Sequence, residues 1–152
     1  MKKIIVLIIL ILSFIGLVLI NYFRAQQAIR DTKPSETNIL LLSFPSELKP
    51  GDMGSFVWNV TSTSSQNIPT TTIYWGYNAT PSALTEVDSP EAVSYAYHQE
   101  DFNQGIFRIP DTFSESIQFL KPGKVFFRAY AKVGNKHLWT PEYELVVSAH
   151  YE

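Results

Sequence analysis

KVFFRAYAKVGNKHLWTPEYELVV, residues 124–147, is the segment that indicates the fold class most clearly. Its first half places apolar side chains at every second position, which is the period of a half-buried β-strand. Gly134-Asn135 then forms a two-residue sequence typical of a tight hairpin turn, and Leu138–Val147 returns as a second strand. Pro141 cannot donate a backbone hydrogen bond, so we expect the returning strand to lie at a sheet edge or to be bulged there.

Upstream of this hairpin, further short β-type segments are separated by Pro, Gly, Ser and Asn. We predict strands at Ile39–Phe44, Ser55–Val60, Thr71–Tyr77, Val93–His98, Gly105–Pro110 and Phe113–Phe119. Residues 61–67 are predicted to be a polar loop and residues 78–92 a long irregular one. In the second strand Trp58 shares an apolar face with Phe56 and Val60, so we expect it in the core. The pattern predicts an all-β domain, an antiparallel sandwich of about seven strands.

The residues that lead into the hairpin resemble a known family. Leu120–Phe126, LKPGKVF, resembles the L-x-P-x-T-x-Y stretch at the start of the sixth strand of fibronectin type III domains. Phe56-Val57-Trp58 is similar to their second-strand tryptophan motif. The resemblance spans about residues 39–147 and implies an immunoglobulin-like sandwich of the kind used mostly for adhesion and interaction. Phe126 stands where the family usually has tyrosine, and the alternation favours Phe127 as the inward residue.

The N-terminal part of the chain carries a different signal. Residues 4–23, IIVLIILILSFIGLVLINYF, are almost all apolar, with Lys2 and Lys3 before them and Arg24 behind. As a helix this run spans roughly 30 Å, the thickness of a bilayer's hydrocarbon core. We therefore predict a transmembrane signal-anchor after a tail of residues 1–3. The alternative is a cleaved signal peptide, but those have shorter apolar cores and a small-x-small cleavage site, which this run lacks.

The predicted anchor sets the organisation of the rest of the chain. Residues 24–38 form a polar stalk, residues 39–147 the sandwich and residues 148–152 a C-terminal tail. The exported part contains all 14 acidic residues and all but two of the 12 basic ones, so its formal charge is 10 − 14 = −4. This mild negative charge argues against nucleic acid or an anionic lipid surface as partner. We expect a single-pass protein of the cell membrane with its C-terminal domain outside.

Residues that could carry chemistry are few. None of the histidines has metal-ligand neighbours at a suitable spacing; they are His98, His137 and His150. His98, Glu100 and Asp101 could form a weak cation site, and the alternative is a solvated cluster of loop charges. Asp111 and Glu115 could be read as paired carboxylates, but solvation at the surface explains them more simply. The chain has no cysteine and no nucleophile elbow, P-loop or zinc-protease motif. We therefore expect no catalytic residue, cofactor or metal, and infer no small-molecule substrate.

Five residues are singled out for contact or modification. Tyr95 and Tyr97 share one face of a predicted strand, and Trp139 follows the hairpin in a polar setting before a proline. These three are candidate partner contacts, because exposed aromatic residues are favoured in recognition surfaces, although packing against the sheet explains each of them as well. Asn78 and Asn59 open Asn-x-Thr triplets and are candidate glycosylation sites. Asn78 is the better candidate because it begins a loop.

Taken together, these observations predict a membrane-anchored, surface-displayed β-sandwich that binds a protein or cell-envelope partner and has no catalysis. The alternative is a structural component of a surface filament. Archaeal pilins and archaellum stator proteins combine an N-terminal hydrophobic helix with an immunoglobulin-like domain, and this layout is similar. Lys3 is followed directly by Ile4, without the glycine or alanine of a prepilin cleavage site, so a stator, which keeps its helix in the membrane, fits better than a pilin.

Overall fold

The computed structural model describes residues 37–80 and 83–148. The strands are β1 Asn38–Ser43, β2 Glu47–Leu48, β3 Met53–Thr61, β4 Gln66–Ile68, β5 Thr70–Gly76, β6 Tyr97–His98, β7 Phe107–Ile109, β8 Asp111–Gln118, β9 Gly123–Val133, β10 Lys136–Trp139 and β11 Tyr143–Val147. One short helix, α1 Pro90–Val93, precedes β6.

The described strands form two main sheets and a small ribbon. The smaller main sheet has the order β1-β3-β8, and the larger has the order β2-β11-β9-β5-β6, with β10 also paired to β9. Strands β4 and β7 pair separately. Pairing among these strands is antiparallel except between β2 and β11. In the immunoglobulin lettering, β1, β3 and β8 correspond to strands A, B and E of one sheet, and β11, β9 and β5 to strands G, F and C of the other. The predicted all-β, immunoglobulin-like sandwich is therefore confirmed.

The core lies between the two main sheets. Trp58 and Phe127 are fully buried there, so the expected inward positions are confirmed and Phe126 is only partly buried. The Trp58 indole Nε1 donates to Thr71 Oγ1 at 2.7 Å, which satisfies the one polar atom of this side chain. Phe56 meets Phe127 edge to face at 5.0 Å between ring centroids. Burial of each such side chain stabilises the fold by roughly 1.5–3 kcal/mol.

The hairpin at residues 133–136 and the interruption at Pro141 agree with the sequence. Gly134 has φ +58°, a left-handed conformation that glycine adopts without cost. Pro141 lies in the break between β10 and β11. Beside it, Thr140 replaces part of the ladder, because its N–H donates to Ala129 O and its Oγ1 accepts from Ala129 N, both at 3.0 Å.

Two predicted elements are wrong in detail. Val93–His98 is not one strand: its first residue ends helix α1, and only Tyr97–His98 pairs with β5. Ser94, at φ 64°, ends the helix in the left-handed conformation, which breaks the extended course that the alternation suggested. The loop predicted at residues 61–67 overlaps strand β4, which pairs with β7.

Several predictions fall on parts of the chain that the structure does not describe. No helix within residues 37–80 and 83–148 is long and apolar enough to span a membrane. The predicted anchor at residues 4–23, the tail at residues 1–3 and the stalk up to residue 36 lie outside the described residues, as do residues 149–152.

Candidate functional site

The described parts of the connection between β5 and β6, residues 77–80 and 83–96, lie over the outer face of the larger sheet; we call them the cover segment. Two of its backbone carbonyls accept hydrogen bonds from the last hairpin: His137 N donates to Glu86 O at 2.9 Å, and Trp139 Nε1 donates to Asp88 O at 2.8 Å. Lys136 and Glu86 add an exposed ion pair at 2.7 Å. The cover segment is therefore attached to β10.

Arg128 fastens the other end of the cover segment. The alternation places this residue on the outer face of β9, yet it is only 4% exposed. Its Nη2 donates to Thr80 O at 2.8 Å, its Nη1 to Thr140 O at 3.1 Å and its Nε to Tyr95 OH at 3.1 Å. One guanidinium thus joins the cover segment at two points to the sheet beneath it. Sequence reasoning missed this role, because alternation shows which face a residue occupies and not what covers that face.

Glu142 supplies the negative charge opposite Arg128. Its Oε1 accepts from Thr80 N at 2.8 Å, from Thr80 Oγ1 at 2.6 Å and from the Tyr95 hydroxyl, and lies 4.0 Å from Arg128 Nε. Burial raises the pKa of Glu142, but the hydrogen bonds from Thr80 and Tyr95 and the Arg128 charge outweigh it, so the pKa is lowered. Burial, followed by the hydrogen bond to Glu142, raises the pKa of Tyr95 to about 12. Arg128 and Glu142 therefore hold Thr80 and Tyr95 of the cover segment against the sheet through charge-assisted hydrogen bonds.

The three candidate contact residues are placed apart. Tyr95 is not in a strand, and its hydroxyl lies in the Arg128–Glu142 cluster. Trp139 is partly buried under the cover segment, with its ring 4.5 Å from that of Tyr130. Tyr97 alone of the three is exposed, at 43%. The structure therefore leaves Tyr97 as the candidate that a partner can reach most readily.

Tyr97 belongs to a group of three aromatic side chains and one leucine beside the edge strand β6. We call this group the aromatic edge; its members are Trp75, Tyr77, Tyr97 and Leu120. Tyr97 stacks on Trp75 with ring centroids 4.3 Å apart, and Leu120 is 71% exposed. Together with Gln118 and Lys121 these side chains line a cavity of about 180 Å³. The Trp75 ring packs edge to face on the buried Phe119 at 4.9 Å and on Tyr77 at 6.0 Å, while Tyr97, which stacks on it, is exposed.

A second, more polar cavity of about 530 Å³ lies on the outer face beside α1. His98 Nε2 lies there 3.2 Å from Glu100 Oε1 and 3.2 Å from Asn103 Nδ2, and His137 Nδ1 lies 2.7 Å from the Tyr130 hydroxyl. Within residues 37–80 and 83–148, three or more metal-ligating side chains do not come together anywhere. The weak cation site weighed at His98, Glu100 and Asp101 therefore gains no third ligand.

Glu115 departs from expectation. The sequence indicated a solvated carboxylate, but the side chain points inward from β8 and is 5% exposed. Among the described residues, no group meets full hydrogen-bond geometry with either of its oxygens. Burial, followed by the negative charge of Asp101, raises the pKa of Glu115 to about 7; the nearby Asp101 backbone N–H offsets part of that rise. The domain therefore holds one carboxyl group that titrates close to neutral pH.

The two glycosylation candidates lie in different settings. Asn78 is exposed in the cover segment, while the Thr80 hydroxyl of the same triplet donates to Glu142. Asn59 lies within β3, and its Nδ2 donates to Asp111 O and Thr112 Oγ1, both at 3.0 Å. Both sites stay predictions.

Comparison with known proteins adds little to this geometry. No protein-family model matches the chain, and no curated protein matches it at a significant level. A solved PKD domain of an M14-like peptidase from a Thermoplasmatales archaeon is 15% identical, with a TM-score of 0.48 over 76% of this chain and 99% of that chain. A chain of the zinc 2-glycoprotein and prolactin-inducible protein complex from human seminal plasma is 15% identical, with a TM-score of 0.41 over 78% and 99%. At these scores the fold assignment rests on the strand order.

Proposed function

We propose that this chain is a single-pass, membrane-anchored, surface-displayed interaction module with a fibronectin type III-like domain that binds a protein or cell-envelope partner. The apolar run at residues 4–23 supports the anchor, and the mild negative charge of the exported part supports a partner other than nucleic acid. The immunoglobulin-like sandwich is compatible with this role but does not by itself specify it.

The observation that carries the proposal is the aromatic edge. Exposed aromatic and aliphatic side chains that surround a small cavity form the usual centre of a protein contact, since burying them releases water from apolar surface. Tyr97 is held in place by stacking on Trp75 at 4.3 Å, so little side-chain freedom is lost when a partner covers it. Lys121 at the cavity supplies a hydrogen-bond donor at the rim, and Gln118, whose Nε2 donates to Gly51 O at 2.7 Å, supplies an acceptor oxygen.

We also propose that the protein is not a catalyst. The support is that its partly buried polar side chains bind other parts of the domain: Arg128 and Glu142 hydrogen-bond to Thr80 of the cover segment. His137 is hydrogen-bonded to Tyr130, and His98 contacts Glu100 and Asn103. General acid–base chemistry needs such groups positioned toward a substrate rather than toward one another.

The test is cross-linking of the full-length protein on intact cells, with partners identified by mass spectrometry. We expect a heterologous partner whose capture falls at least tenfold in a Tyr97→Ala, Leu120→Ser double variant. The matched control is Val87→Ser, which removes a side chain that is 84% exposed but lies on the cover segment. Equal losses in both variants, or an unchanged capture in the double variant, would contradict the assignment of the aromatic edge. Dominant helix-to-helix self-contacts, or contacts to motor and envelope-lattice proteins, would instead favour the filament-component alternative.

A further inference from the structure

The outer face of the smaller sheet carries no charged side chain. Its outward positions are Asn38, Leu40 and Leu42 on β1, every second residue of Met53–Thr61 on β3, and every second residue of Thr112–Gln118 on β8. The strand register aligns these residues in rows across the sheet, except Leu42, which lies in a bulge where the pairing of β1 shifts between Leu41 and Ser43. We call this surface the neutral face.

The neutral face also carries exposed apolar side chains. Leu40 and Leu42, on the edge strand β1, are 50% and 57% exposed, and Met53, at the far end of the central strand β3, is 61% exposed. The opposite side, on β8, offers threonine, serine and glutamine side chains. Neighbouring exposed leucine side chains beside a neutral polar surface are typical of a contact site.

The composition points to one occupant, a second copy of this chain. In a two-fold symmetric interface each residue near the axis meets its own copy. Leucine can pack on leucine, and a hydroxyl both donates and accepts, so serine and threonine can hydrogen-bond to themselves. Lysine or glutamate would repel its own copy, and the neutral face has neither. A bilayer surface would call instead for basic and interfacial aromatic side chains, which this face also lacks.

We propose that the neutral faces of two copies pack against each other about a two-fold axis. Three strands spaced about 4.8 Å apart and roughly 26 Å long give a face of about 370 Å² per copy. The total buried area is then on the order of 800 Å², below the roughly 1,200 Å² of a stable complex. Pairing is therefore weak for dilute protein and is populated when copies are concentrated in a membrane. In that respect the inference rests on the proposed membrane anchor.

The chain has no cysteine, so single cysteines report contacts without background. Ser55 is exposed on the central strand of the neutral face, and Ala96 is exposed on the cover segment. In native membranes with a mild oxidant, we expect full-length Ser55→Cys to form a disulfide-linked dimer at least tenfold faster than Ala96→Cys. Adding Leu42→Lys should reduce the Ser55→Cys rate to that of the control, because two like charges then face each other.

The possible results distinguish a failure of the proposed pairing from a failure of the proposed membrane anchor. If the protein stays in the membrane after alkaline washing but Ser55→Cys links no faster than Ala96→Cys, the pairing is wrong and the anchor stands. If the protein washes off, the anchor is wrong; the same variants purified at about 1 mM then decide the pairing, where faster linking of Ser55→Cys supports it and equal rates overturn it. Linking of Ser55→Cys mainly to a different protein, or a glycan on Asn59, which lies on the same face, would also overturn it.

Discussion

Replacing Glu115 with Gln should stabilise the domain at neutral and alkaline pH and leave it unchanged near pH 4.5. The reason is the pKa of the buried carboxyl group, about 7 in the folded domain against an ordinary 4.5. Below pH 4.5 both the folded and the unfolded chain carry the proton, so the carboxyl group costs nothing. As the pH rises toward 7 the unfolded chain releases its proton first, and stability falls; above 7 the full cost is present.

The size of the effect follows from the same difference. Each pKa unit corresponds to 1.36 kcal/mol, so a difference of about 2.5 units lowers the free energy of unfolding by up to roughly 3 kcal/mol at pH 8. Gln has nearly the shape of the protonated acid and never ionises. We therefore expect Glu115→Gln to raise the melting temperature by roughly 10 °C at pH 8, with the difference vanishing near pH 4.5.

The assay is thermal unfolding of the full-length protein, followed by tryptophan fluorescence between pH 4.5 and 8.5. All three tryptophans, at positions 58, 75 and 139, lie in the described domain, so the signal reports its unfolding. Glu144→Gln is the matched control, because Glu144 is exposed and faces Lys124 at 3.3 Å. Asp101→Asn should move the pH midpoint downward by removing the charge that raises the pKa of Glu115. Parallel pH profiles for wild type and Glu115→Gln would show that ionisation of Glu115 does not lower the stability of the domain.

Four further predictions concern other parts of the chain. Trp58→Ala should lower the free energy of unfolding by roughly 3–5 kcal/mol in denaturant titration, because it leaves a cavity in the core. Arg128→Met should cost a similar amount, since it leaves the partly buried Glu142 carboxylate without its cation, and should increase protease cleavage in the cover segment. Gly134→Val should be destabilising in the same titration, because a β-branched residue resists φ +58°; Asn135→Ser is its control. Leu12→Arg should impair membrane insertion by roughly 2.5–3.5 kcal/mol, seen as loss of protein from the carbonate-washed pellet.

The sequence predicted the fold correctly where apolar residues alternate with polar ones and a clear turn sequence follows. The β9–β10 hairpin has both, so its strands, its turn and the inward Phe127 all followed from the sequence. The cover segment has neither, because its order comes from long-range hydrogen bonds to Arg128 and Glu142. Tyr95 was placed on a strand with Tyr97 for the same reason: local alternation cannot report an arginine 33 residues away.

Glu115 shows how a charged residue can be misassigned even when the period is present. Phe113, Glu115, Ile117 and Phe119 alternate without a break, and a strand that buries three of these side chains must also direct the fourth inward. Its charge suggested solvation, but the geometry of the strand outweighs the preference of one side chain, and the carboxyl group shifts its pKa instead of leaving the core. The same alternation directs Ser114, Ser116 and Gln118 to the opposite side. One strand therefore produces both the pH-sensitive carboxyl group and part of the neutral face, and changes at outward positions of β8 can test the pairing without disturbing Glu115.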